Sequence, residues 1–168
     1  MKKVILIVID TLRADHLTCY GYFRDTSPNI DKLAENGILF KDSYSTAITT
    51  GAGFTSIVTG LPPIKHGFYN TPFNIPNLNH LDDTIPTVAQ IIQMSEKGII
   101  TAAFDNLMNF SSPMDHLVRG MEYYINPTGN PKRHCQLLGE KINEKLIKWI
   151  EEHQDKSFFA FVHYWDPH

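Results

Sequence analysis

The sequence predicts an α/β fold, a mostly parallel sheet with helices on both faces, from three observations. The chain opens on an unbroken apolar run, Val4 to Ile9, rich in β-branched residues and ending at Asp10, as a strand buried on both faces of a parallel sheet would. Two later stretches, "TSPNIDKLAENGILF" and "TIPTVAQIIQMSEKGIITAAF", each carry helix start and stop signals and then resume as apolar runs. Near the end an amphipathic helical stretch leads into "FFAFVHYW", a run rich in strand formers. Strands alternating with helices describe a sheet of mostly parallel strands covered by its own crossovers.

The elements follow in order. In the first helix Ser27 is the N-cap, Pro28 the first helical residue, Ile30, Leu33 and Ala34 the apolar face and Gly37 the stop; Ile38 to Phe40 then reads as a strand. A short helix starts near Thr50, runs through Phe54, Ile57 and Val58, and ends at Gly60, because Pro62 and Pro63 cannot continue it. Pro86 opens the next helix, with Val88, Ile91 and Ile92 inward and Gly98 as the stop, and "IITAAF" is the strand after it. Asn109 to Pro131 reads as loop. Leu138, Ile142, Leu146, Trp149 and Ile150 share one face of a long helix before the last strand, which ends at Asp166, Pro167 and His168.

A length of 168 residues suits one domain with a real core, and no repeat or linker divides it. With 42% hydrophobic and 20% charged residues the composition is that of an ordinary globular chain, and a net charge of −3 supplies no basic field for nucleic acid. The first apolar run is too short for a membrane span or a secretion signal, so the expectation is a cytoplasmic protein with no membrane partner. Cys19 and Cys135 show no metal or redox spacing and read as reduced thiols.

Two places carry chemistry. Asp10 follows the first strand, at the carboxyl edge where ligands bind in open α/β sheets; a lone aspartate there could equally cap a turn. Thr49 and Thr50 precede a helix whose first turn holds Gly51 and Gly53, and unpaired N–H groups at such a terminus favour an anion. A hydroxyl in that place is either an N-cap or a nucleophile. Arg13 either steers an anion or forms a salt bridge. His16, His80, His116, His134, His153 and His163 lack metal-ligand spacing and read as surface or loop histidines.

Four segments, in order, resemble the sulfatase family of the alkaline phosphatase superfamily: "VILIVIDTLRADHLTCYGY", "TSPNIDKLAENGILFKDSYS", "TGLPPIKHG" and "FFAFVHYWDPH". The resemblance implies an alkaline-phosphatase/sulfatase-like fold, with residues 1–168 the amino-terminal part of a sulfatase-like catalytic domain and the carboxy-terminal part absent. It places Thr50 where strict sulfatases hold the cysteine or serine that becomes formylglycine, with Ala52, Gly53 and Phe54 replacing the rest of that signature. Threonine cannot yield the aldehyde, so Thr50 is similar instead to the nucleophile of the superfamily's phosphodiesterases and phosphoglycerol transferases.

The resemblance further implies a divalent cation, Ca, Mg or Mn with Zn also open, with Asp10 as its first ligand and Thr11 where many relatives carry a second aspartate. It makes Asn70 a substrate-binding residue, Lys65 and His66 residues near the substrate with His66 chiefly supporting the active-site loop, and His168 a donor to the substrate or leaving oxygen. The family's K-x-H pair falls near Phe104 to Asn106, where Asp105 or Asn106 would replace part of it. The expected substrate is a small anionic ester, of sulfate or, given Thr50, of phosphate or phosphonate. No D-H-G or D-N-G completes a cation site, so this stretch alone is expected to be inactive. A non-catalytic anion-binding remnant and a phosphoryl or phosphoglycerol transferase are the alternatives.

Overall fold

The structure, a computed structural model, describes residues 1–69, 79–95, 98–105, 114–126 and 139–167. Its elements are β1 (Lys3–Ile9), α1 (Pro28–Glu35), α2 (Thr50–Thr59), α3 (Pro63–His66), α4 (Val88–Ser95), β2 (Ile99–Asp105), β3 (Tyr123–Ile125), α5 (Gly139–Glu152) and β4 (Ser157–Tyr164). The strands form one sheet in the order β1-β4-β2-β3, and each neighbouring pair is parallel. The α/β fold read from the sequence is the fold observed.

Alternation along β4 divides the core in two, because successive side chains point to opposite faces. On one face Phe158, Ala160 and Val162 join Ala102, Phe104 and the α5 residues Ile142, Leu146 and Trp149. On the other, Phe159 and Phe161 join Ala103, Leu117 and the α2 residues Phe54 and Val58, with Val88 and Ile92 of α4 packed beside them. The amphipathic stripe of α5 thus seats where its period predicts, although Leu138 lies outside the described residues. No helix among the described residues is long and apolar enough to cross a membrane.

Local grammar explains most element ends. α2 stops at Gly60, whose left-handed backbone (φ 70°) lets its N–H reach the Ser56 carbonyl. α4 opens with a reciprocal cap in which Gln90 N–H donates to Thr87 Oγ1 (3.3 Å) and Thr87 N–H to Gln90 Oε1 (3.0 Å).

Several expectations need correction. Ile38 to Phe40 is not a strand; three apolar residues with no sheet edge beside them leave Ile38 and Phe40 exposed. Asn109 to Pro131 is not all loop, since it contains the 3₁₀ turn Asp115–Val118 and β3, which pairs with β2. β1 is not buried on both faces: among the described residues it is an edge strand, Leu6 and Val8 are partly buried against the cluster that holds α2, and Val4, Ile5 and Ile7 are exposed. Leu33 (70% exposed) and Ile91 (48%) face solvent, and α1 buries no residue. At Ser27 the hydroxyl caps no α1 N–H; it accepts from Thr18 N–H and donates to Asp31.

Gly120 shows how tightly the α4 side is closed. Its φ is +79°, and an added Cβ would stand 2.8 Å from the Gln90 Cα and the Ala89 carbonyl carbon, on the backbone of α4. Gly120→Ala is therefore expected to lower unfolding free energy by about 2 kcal/mol or more, read as a shift in the urea midpoint at constant slope.

Candidate active site

The parallel register brings the carboxyl ends of β1, β2 and β4 to one edge. There the Asp10 N–H donates to the Tyr164 carbonyl (2.9 Å), which ties the residue after β1 to the end of β4. α2 begins over the same edge. Across the gap the Thr50 hydroxyl donates to Asp10 Oδ2 at 2.9 Å, joining residues 40 positions apart. A cleft of about 650 Å³ opens at this contact, with Thr11, Tyr44, Ile48 and Gly53 among its walls. Asp10 carries the only formal charge among the described residues lining it.

The backbone at this point is strained. Thr11 has a φ of +57°, a left-handed conformation that a β-branched residue adopts only when its surroundings impose it. The bend sends the chain away from β1 and leaves the Asp10 carboxylate facing α2.

Three buried histidines hold α2, each through a successive residue of the helix. The ring of Phe54 packs edge-to-face against His163 (centroids 4.7 Å apart) and against Phe161 (6.0 Å). Thr55 Oγ1 donates to the Gly51 carbonyl, so its contact with His116 Nε2 (2.7 Å) makes the imidazole the donor. His66 Nδ1 accepts from the Phe68 N–H (3.0 Å), which leaves its Nε2 protonated to donate to Ser56 Oγ (3.0 Å). His66, His116 and His163 are 2%, 1% and 0% exposed.

His116 and His163 are therefore not surface or loop residues. No spacing rule finds them, because their partners are 61 and 58 positions away. Asp105, read as standing in for a substrate-facing pair, is fully buried and turned inward, accepting from His163 Nδ1 (2.7 Å) and from the Tyr124 hydroxyl (3.1 Å). His16 and His80 are exposed and His153 is partly buried against Trp149. Arg13 is engaged with exposed Asp15 through Nε–Oδ1 (2.9 Å) and Nη2–Oδ2 (2.5 Å) bonds, and that guanidinium holds the Asp15 carboxyl below its usual range.

Of the residues singled out from the sequence, Asp10, Thr11 and Thr50 meet at the cleft. His66 lies behind α2 as a support and Lys65 is exposed on α3; neither lines the cleft. Asn70, Asn106, His134, Cys135 and His168 lie outside the described residues. Cys19 is a free thiol. For a divalent cation the donors match in kind, hard oxygens of Asp10 and a hydroxyl, but not in number. Among the described residues no three His, Cys, Asp or Glu side chains converge to hold one.

Fold and site together define an α/β domain with a carboxylate and a helix-leading hydroxyl meeting at the carboxyl edge of a parallel sheet. The sulfatase family model matches residues 2–168, and the chain belongs to that family. It is 25% identical over 178 aligned residues to the N-acetylglucosamine-6-O-sulfatase of Bacteroides thetaiotaomicron, an alignment covering 99% of this chain and 30% of that enzyme. The phosphonate monoester hydrolase of Agrobacterium radiobacter superposes with a TM-score of 0.74 at 19% identity, covering 100% of this chain and 41% of that one. The soluble domain of lipooligosaccharide phosphoethanolamine transferase A from Neisseria meningitidis does so with a TM-score of 0.67 at 20% identity, covering 99% and 46%. The chain thus spans less than half the length of each of these three, and the two structural likenesses speak for the fold alone.

His66 makes stability depend on pH. Burial holds its pKa below the ordinary 6.5, so the unfolded chain takes up a proton first as pH falls. The stability is complete above pH 6.5 and is lost as pH drops from there through the folded-state pKa. Urea midpoints are expected to fall between pH 7.5 and 5.5; His66→Gln should flatten that slope while costing about 1 kcal/mol at pH 7.5.

Proposed function

We propose that this chain is the amino-terminal part of an ester hydrolase in which Thr50 is the nucleophile, acting on phosphate or phosphonate esters in preference to sulfate esters. The observation that carries the proposal is the 2.9 Å hydrogen bond from the Thr50 hydroxyl to Asp10, at the head of α2 and inside the cleft. The contact fixes where the hydroxyl proton points and so aims an oxygen lone pair into the cleft, where the first N–H groups of α2 favour an oxyanion.

In the reaction Thr50 Oγ1 forms a bond to phosphorus as the bond from phosphorus to the leaving oxygen breaks, and the hydroxyl proton, passed by way of Asp10, ends on that oxygen to give the free alcohol. Water then cleaves the phosphothreonine and restores the hydroxyl. A divalent cation, when bound with Asp10 among its ligands, would neutralise the ester's charge and ease ionisation of the hydroxyl. Sulfate is disfavoured by the side chain itself: the β-methyl of threonine bars the aldehyde that strict sulfatases use. The fold shared with a phosphoethanolamine transferase supports a second outcome from the same intermediate, attack by an alcohol in place of water.

The test uses the full-length gene product with an aryl sulfate, a phosphate monoester, a phosphodiester and a phosphonate monoester, each with Mn²⁺, Mg²⁺, Ca²⁺ or Zn²⁺. Thr50→Ala is expected to lose roughly 10³-fold or more in kcat and Thr50→Ser to keep much of it. Turnover surviving in Thr50→Ala, or aryl sulfate turned over fastest, overturns the reading. Product analysis in the presence of added glycerol separates hydrolysis from transfer.

A further inference from the structure

We infer that Asp105 and His163 are positioning residues that set Thr50 against Asp10 through the ring of Phe54, an inference that rests on the reading of Thr50 as nucleophile. His163 lies in register with Val8 of β1 and Asp105 of β2, two residues before Asp10 and at the last residue of β2. It projects to the same sheet face as Phe159 and Phe161, the face that α2 covers. There its ring meets Phe54, and Phe54 lies four residues after Thr50, one helical turn along the same side of α2.

The end of β4 therefore controls both members of the Thr50–Asp10 contact by adjacent residues. Tyr164 fixes Asp10 through its carbonyl, and His163 meets α2 at Phe54, one turn after Thr50. Movement of either shifts one partner and not the other. The ring of His163 is itself oriented by its Nδ1–H donating to Asp105 Oδ1, while Tyr124 donates to the other carboxylate oxygen.

The composition of this contact argues for orientation over simple filling. Among the described residues His163 Nε2 is buried with no hydrogen-bond partner, a desolvation cost that a phenylalanine in the same space would not incur. What phenylalanine lacks is an Nδ1–H to anchor the ring's angle. In some proteins buried polar groups that stabilise less than apolar ones fix a single arrangement, and the Asp105–His163 pair has that role here.

The test compares crystal structures and steady-state kinetics of the full-length gene product and its variants. His163→Asn keeps a donor for Asp105 but removes the ring under Phe54. It is expected to lengthen the Thr50–Asp10 separation beyond about 3.5 Å and to lower kcat roughly tenfold or more with KM little changed, at a temperature below the lowered melting point that the void left by the ring brings. Asp105→Leu should lower kcat likewise, and Asp105→Asn, which retains an acceptor oxygen, should recover most of that loss. Phe54→Leu leaves the buried pair intact and guards against loss of folding; it should reproduce the kcat loss, and adding His163→Asn to it should cost little more. An unchanged separation in His163→Asn, full additivity with Phe54→Leu, or equal kcat loss in both Asp105 variants overturns the inference. If Thr50 is not the nucleophile, Thr50→Ala keeps its turnover while His163→Asn still lengthens the separation, so the two failures are distinct.

Discussion

The contact between the Thr50 hydroxyl and Asp10 is the constraint on which the site depends, and neither residue can secure it alone. Asp10 belongs to the end of a strand whose only sheet neighbour among the described residues is β4. Thr50 is the first residue of a ten-residue helix, the place where helices fray. A hydrogen bond between two such ends contributes on the order of 1 kcal/mol, too little to hold strand and helix in place against thermal motion. The geometry must therefore be imposed from behind, by the packing of β4 and α2.

To the apolar packing of Phe54 and Val58 on β4, three histidines add polar contacts. Phe54, Thr55 and Ser56, consecutive on α2, meet His163, His116 and His66 in turn. Consecutive helix residues point about 100° apart, so three such contacts grip the helix from three directions. Apolar contacts alone would permit small rotations and slides at little cost, since dispersion is weakly directional. Hydrogen bonds to Thr55 and Ser56 add directional restraint, and both hydroxyls also donate back to helix carbonyls at Gly51 and Ala52, within the first turn that carries Thr50. The side chains that restrain the helix thereby restrain the end that carries Thr50.

Much of this architecture was legible in the sequence where a single pattern carried the signal. The β4 and α5 runs are long and strongly periodic, and the Gly60 stop of α2 is reinforced by two prolines. Asp10 and Thr50 were legible singly, one after a strand and the other at the head of a glycine-bearing helix, and the resemblance to the sulfatase family made them a pair. The histidines were not, because a lone histidine has the same appearance in a loop and in a core; only the sheet's register reveals that His163 and Asp105 are opposite one another. Ile38 to Phe40 misled because three apolar residues imitate a strand, and β3 escaped because Tyr123–Ile125 is equally short. In such short pieces pairing, and not propensity, decides.

The electrostatics of the cleft set the terms on which an anionic ester could react there. Two unit charges about 4 Å apart interact by about 4 kcal/mol at an effective dielectric constant of 20. An oxyanion brought to Thr50 would thus be repelled by the same Asp10 carboxylate that orients the hydroxyl. The head of α2 offsets this only in part, since a helix terminus contributes about half a charge and its effect decays within a turn. Nothing cationic lines the cleft among the described residues. Orientation of the Thr50 hydroxyl and acceptance of an anion therefore place opposite demands on Asp10, and added positive charge would reconcile them. A cation held with Asp10 among its ligands would supply that charge, and because one carboxylate is too few donors to hold a divalent ion, Asp10 could meet both demands only as part of a larger donor set.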